Sequence, residues 1–235
     1  MRFKRISFLV FMFLFFGGQV ALASDLSSKT ASAPDASLLS LDEVMYKVEK
    51  HYSVSGFTAD FSQTSSIKAM EITDSASGRA FFKRSGKMRW EYETPDRQII
   101  ITDGKTLWVF RPEDNQVMIG TAPSFFKGGK GFSFLSDMKV IKEKFDMVLE
   151  KETKEGFFVL KLLPREKTYD IVEIYLWISR NTFDVVRILT YNSYGDETRI
   201  VFNNIQLKQN LDDSLFGFEI SEGIEVLNLD EQQDQ

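Results

Sequence analysis

The 235-residue chain carries 29 Lys and Arg against 34 Asp and Glu, with one His, no Cys and a net charge of −5 at neutral pH. An acidic balance argues against nucleic-acid binding. The lack of Cys excludes disulfides and thiol catalysis, and a single His argues against a zinc site, so no cofactor is expected.

Arg2, Lys4 and Arg5 precede an apolar run from Ile6 to Val20 and then Ala21-Leu22-Ala23. This is the pattern of a secretory signal peptide over residues 1–23, cut after Ala23. A membrane anchor fits less well: the run contains Gly17, Gly18 and Gln19 and is short of the roughly 20 residues a span needs. Export without Cys points to a periplasm. Removing the segment leaves 26 basic against 34 acidic residues, a net charge of −8. Residues 24–39 are small and polar and read as a disordered mature N-terminus. Ser40-Leu41-Asp42-Glu43 is a capping box, and Leu41, Val44, Met45 and Val48 form one apolar stripe. A helix over about 41–52 is expected, ended by Gly56. His51 falls in its last turn, where a solvated imidazolium suits the helix dipole better than a catalytic role.

Phe57, Ala59 and Phe61 alternate with polar residues as a first strand, and 65–84 read as a second after a polar turn near Thr73–Ser77. Residues 78–120 then read as antiparallel strands, with turns at Ser85-Gly86, Pro95-Asp96, Asp103-Gly104 and 112–115. Met88, Trp90 and Tyr92 share one face, and Arg89, Glu91 and Glu93 the other. Ile99, Ile100 and Ile101 lack alternation and predict a strand covered on both faces. Leu107, Trp108, Val109 and Phe110 follow.

Residues 121–140 fit neither period. Phe125, Phe126, Phe132, Phe134, Leu135 and Met138 flank Lys127-Gly128-Gly129-Lys130-Gly131. One or two short helices around a glycine hinge are expected. A phosphate cradle is not expected, because the Walker spacing is absent and no Ser or Thr follows Lys130. Two readings stay open: an apolar flap over a cavity, or a connector whose aromatics join the core. Strands resume over 145–149, 157–163, 171–178, 185–191 and 197–205, with turns at Gly156, Pro164, Asn181 and Gly195. Tyr175 and Trp177 alternate with Ile174, Leu176 and Ile178, which makes that strand apolar on both faces. The fold class is therefore mainly β: about eleven antiparallel strands with an N-terminal helix, curled to hide their edges.

Chemistry is hard to find. No G-x-S-x-G elbow is present. Glu91 and Glu93 read as solvated charges, and neither they nor Asp96, Asp212 and Asp213 form an assignable acid–base pair, so no enzyme is expected. Beyond the signal remain 16 Phe, three Trp and seven Tyr. That aromatic load can fill a core, or it can line a half-barrel with an apolar cavity for acyl chains.

Four segments in order carry a family resemblance: Phe57 to Gln63 (F-T-A-D-F-S-Q), Gly78 to Trp90, Asp103 to Trp108 (D-G-K-T-L-W) and Phe216 to Val226. Together they resemble the periplasmic outer-membrane lipoprotein carrier family, LolA, over about 40–226. The resemblance implies an incomplete antiparallel β-barrel covered by short helices over an apolar cavity. It implies acylated lipoproteins as cargo, an inner-membrane ABC-type complex that releases them and an outer-membrane receptor lipoprotein that accepts them. A monomeric domain over 40–228, with an acidic tail at 229–235, is expected to do this. Phe61, Met88, Trp90, Tyr92, Ile100, Trp108, Phe125, Phe126, Phe132, Phe134, Leu135 and Met138 would line the cavity and its lid. The family's hairpin Arg, which ties lid to barrel in the empty state, matches Arg84. Ser85 stands where the family usually has Pro, and Ser221-Glu222 where it has Pro and one residue before Gly223. A carrier or sensor of another lipid or glycolipid on the same half-barrel is the alternative. The envelope-stress regulators of similar fold add a C-terminal domain, and no such second domain is expected here.

Overall fold

The structure is a computed structural model. It describes residues 39–122, 135, 139–150, 156–166 and 168–230. The predicted signal peptide, nearly all of the mature N-terminus, most of the 121–140 segment and the last five residues of the acidic tail lie outside them.

Helix α1 (Leu41–His51) begins at the predicted capping box. Ser40 accepts from the Glu43 backbone N–H, and Glu43 accepts from the Ser40 backbone N–H at 2.8 Å. Val44, Met45 and Val48 are buried. Gly56 opens the next strand instead of ending the helix, whose C-cap is Tyr52. The strands are β1 (Gly56–Ile67), β2 (Ile72–Lys83), β3 (Lys87–Thr94), β4 (Gln98–Thr102), β5 (Thr106–Arg111) and β6 (Gln116–Thr121). After them come a one-turn-and-a-half helix α2 (Lys139–Lys144), β7 (Phe145–Leu149), β8 (Phe157–Pro164), β9 (Glu173–Ser179), β10 (Val185–Tyr191), β11 (Glu197–Leu207) and β12 (Glu225–Asn228).

Among the described residues these strands form one sheet in the order β12-β6-β5-β4-β3-β2-β1-β11-β10-β9-β8-β7. Its outer strands do not pair with each other, so the barrel is incomplete. The meander is antiparallel throughout, except that β12 lies parallel on β6. β12 is a strand beyond the eleven that periodicity predicts: Glu-Val-Leu-Asn is too short to show alternation, and its parallel partner lies over a hundred residues away. The β1–β2 turn also moves. It is a 3-10 turn at Lys68–Met70 with Glu71 left-handed, and Thr73–Ser77 are paired strand residues.

Register shifts at Thr58/Asp60 in β1 and at Ser77/Gly78 in β2 bend the sheet. One core cluster collects inner-face residues from β1 to β11 with Val44, Met45 and Val48 of α1. The outer face is half-covered. Over β3 to β6 it carries Ile101 and Val117, buried to 1% and 0% exposure, and the segment 211–218 lies against it. Phe218 packs at a tilt against Phe110, with ring centres 4.9 Å apart, and Arg89 Nη1 donates to the Leu215 carbonyl. Over β8 to β10, Tyr175 and Trp177 face outward beneath Lys161 and Arg187, at 5.3 and 5.1 Å from their ring centres.

Candidate functional site

Cross-strand register stacks the inner face in rows. Phe57, Phe82, Met88, Thr102, Leu107 and Gly120 form the first, and Ala59, Ala80, Trp90, Ile100, Val109 and Met118 the second. Phe61, Gly78, Tyr92 and Gln98 form the third. The small residues let large rings meet across them. Phe61 lies edge-on to both Trp90 and Tyr92 at 4.9 Å, passing over Gly78. Phe57 stacks on Phe82 at 4.5 Å, and Phe82 meets Trp90 at 5.4 Å. Such pairs add to area burial and hold the rings in fixed geometry.

Five of the predicted lining residues, Phe61, Met88, Trp90, Tyr92 and Ile100, therefore come together on one face. Leu135 is buried to 3% in the same cluster. Phe125, Phe126, Phe132, Phe134 and Met138 lie outside the described residues. Trp108 departs from the expectation: it pairs with Ile101 and Ile119 and faces outward, while Leu107 and Val109 point inward. Leu-Trp-Val-Phe offers two apolar faces, and period 2 alone does not say which is inner. Aromatic size pointed the wrong way, because the C-terminal segment gives the outer face a cover of its own.

Beyond the aromatic rows the inner face turns polar. Tyr92 Oη donates to Gln63 Oε1 at 3.0 Å, and Gln63 Nε2 donates to Ser65 Oγ at 3.1 Å. Burial raises the Tyr92 phenol pKa above its ordinary value, so it stays a neutral donor. Gln98, directly across from Tyr92, buries its Nε2 with no hydrogen-bond partner. A donor left in that state costs about 1–3 kcal/mol. Neither glutamine is among the lining residues expected from the sequence. The usable signal was the row itself: Gln98 keeps the parity of Ile100, on a strand otherwise all isoleucine and threonine.

Arg84 sits in the β2–β3 turn. Its Nε donates to the Val54 carbonyl at 3.1 Å and its Nη2 to Ser53 Oγ at 3.0 Å. It thus holds the segment that leaves α1; the lid segment of the family expectation falls largely outside the described residues. The same end of α1 is held from the other wing of the sheet. His51 Nε2 lies 2.6 Å from Asp184 Oδ1, and the Val185 N–H donates to Tyr52 Oη at 2.9 Å. His51 is therefore half-buried and paired with a carboxylate, not a solvated helix end. Among the described residues no group of three or more His, Cys, Asp or Glu is placed to hold a metal.

The sequence profile of the family described as "Outer membrane lipoprotein carrier protein LolA" matches residues 52–219. An outer-membrane lipoprotein carrier protein of Chromobacterium violaceum is 30% identical over 174 residues, covering 74% of this chain and 81% of that protein. One from Hahella chejuensis is 25% identical over 174 residues, covering 74% and 82%. Among solved structures, an uncharacterized conserved protein from Thermus thermophilus superposes with a TM-score of 0.51 at 16% identity, over 80% of this chain and 98% of that one.

Proposed function

The chain belongs to the LolA family of outer membrane lipoprotein carrier proteins, and from that premise we propose that it carries acylated lipoproteins across a periplasm. In this reading it takes cargo released from the inner membrane by an ABC-type complex and hands it to an outer-membrane receptor lipoprotein. The observation that carries the reading is the inner face: contiguous rows of Phe, Trp, Met, Ile and Val on a sheet that does not close, in a chain whose relatives are named as carriers.

The energetics support such a division of labour. Each buried CH₂ is worth about 0.8 kcal/mol, so several long acyl chains in water cost tens of kcal/mol. Lipoproteins therefore need a carrier to cross an aqueous gap. A carrier that recovered all of that energy would not release its load. Contacts made only in the empty protein lower net affinity and make transfer possible. Arg84, with charge-assisted hydrogen bonds to Ser53 and Val54, fits that role if the α1–β1 segment shifts on loading.

The test is release from spheroplasts that have just made lipoproteins. The purified protein is expected to bring them into the supernatant as a soluble complex. Arg84→Leu is expected to load cargo but pass it to receptor-bearing membranes several-fold more slowly. A folded protein that releases no lipoprotein, yet takes up an apolar dye, would move the function to another lipid. Normal transfer by Arg84→Leu would remove the latch role alone.

A further inference from the structure

The inner face of the half-barrel is graded. From one end to the other its rows run from Phe82, Met88 and Leu107, through Trp90, Ile100 and Val109, to Tyr92 and Gln98. The first two rows are buried in the same cluster as Val44, Met45 and Val48 of α1, so an amphiphile that displaced part of this cover would put its hydrocarbon on them and its polar junction at the third. At that third row the structure holds a feature that folding alone does not account for. Gln98 Nε2 is removed from solvent and donates to nothing. Its neighbour across the strand pair, Tyr92, turns its hydroxyl to Gln63, and no hydrogen bond joins it to Gln98. Buried polar groups are nearly always paired, so an unpaired donor is open to an acceptor that the protein itself does not supply.

We infer that Gln98 is a ligand-reading residue, whose Nε2 donates to the ester or amide carbonyl where an acyl chain joins its polar head. The inference rests on the carrier reading above and deepens it. A carbonyl is the group that fits. It is an acceptor without a charge, so it enters a partly apolar site at small desolvation cost, and every acyl chain attached by ester or amide presents one. An alkyl chain without a carbonyl would bury the same methylenes and leave the donor unpaired. The site would thus distinguish acylated cargo from other hydrocarbon and fix how deep the chains sit.

The experiment measures displacement of a fluorescent apolar probe from the purified protein by two amphiphiles of equal chain length, monopalmitoyl glycerol and monohexadecyl glycerol. The first is an ester; the second is an ether with no carbonyl. The wild-type protein is expected to prefer the ester by about fivefold to tenfold, the effect of one net hydrogen bond. Gln98→Met, which keeps the side-chain length and removes the donor, is expected to bring the ratio to about one with ether binding retained. A wild-type ratio near one overturns the inference and leaves the carrier reading intact, since both amphiphiles still bind. A ratio that survives Gln98→Met overturns it too, placing the donor elsewhere. If Gln98→Met does not fold, Gln98→Asn, which withdraws the donor by one methylene, must lower the ratio, and its failure to do so is equally fatal. If neither amphiphile displaces the probe from the folded protein, the carrier reading falls and the inference falls with it.

Discussion

At Gly78 a Cβ would sit 1.9 Å from the Glu91 carbonyl oxygen, closer than any real side chain tolerates. The glycine leaves room for the close approach of β3, whose extra residue at the bulge is Glu93, and opens the gap over which Phe61 reaches Tyr92. Seven residues on, Ser85 stands where the family resemblance leads one to expect proline. Its φ is +67°, and Gly86 follows at +77°. Proline is fixed near φ −65°, so this turn is of a different type from a proline-bearing one. Ser85→Pro should lower the unfolding free energy by at least about 1 kcal/mol, because the ring cannot adopt the native angle. Ser85→Gly should fall within about 1 kcal/mol of wild type, on the stabilising side, because the left-handed conformation carries no Cβ penalty there. Chemical denaturation of the two variants checks both; equal stability of Ser85→Pro and wild type would contradict the turn described here.

At the scale of elements, the C-terminal segment acts as a strap. It leaves β11, crosses the outer face through Phe216 and Phe218, and returns as β12 beside β6. Its start is held by Asp213, which accepts from Lys83 Nζ at 2.6 Å and Lys87 Nζ at 2.8 Å. Those two hydrogen bonds pull the Asp213 pKa from its ordinary 3.8 to about 2. A carboxyl depressed in the folded state stabilises fully above its unfolded pKa and loses that contribution as pH falls through the folded one. The wild-type protein should therefore hold its margin over Asp213→Asn at neutral pH and lose it between about pH 4 and pH 2. Thermal midpoints of both proteins across that window are the measurement, and a constant difference would show that the lysines do not act through this carboxylate. The margin should be small, since the group is exposed.

For the whole molecule, the sheet is a two-faced object, and each aromatic has a task set by its face. Trp90 lies inward among Phe61, Phe82 and Phe202, while Trp108 lies outward. Replacing each by leucine should separate the two. Trp90→Leu is expected to weaken binding of an apolar probe by about fivefold or more, and Trp108→Leu to leave it within about twofold, with both proteins shown to be folded. Equal losses would mean that the probe does not use the inner face. The two wings are joined by the end of α1, held at Arg84 on one side and at Asp184 and Val185 on the other. The wings are also continuous through β1, so residues 51–54 form a second link between them that a change in the opening of the half-barrel would load.

Much of this was legible in the chain itself. The capping box set the start of α1, and the apolar stripe Leu41, Val44, Met45 and Val48 set its buried side. Strict alternation in β3 assigned Met88, Trp90 and Tyr92 to one face. Turn residues placed β7 to β11 within a residue or two, because these signals are local and act over three to five residues. What they left open was decided by contacts between distant segments. Trp108 faces outward because a strap from residues 211–218 covers that side, and His51 is paired because the β9–β10 turn brings Asp184 to the end of α1. β12 forms because β6 offers an unpaired edge, and Gln98 lies across from Tyr92 because β3 and β4 pair in that register. Period and capping determine which residues share a face; only the closed set of neighbours determines what that face meets, since burial and pairing depend on the partner as much as on the residue.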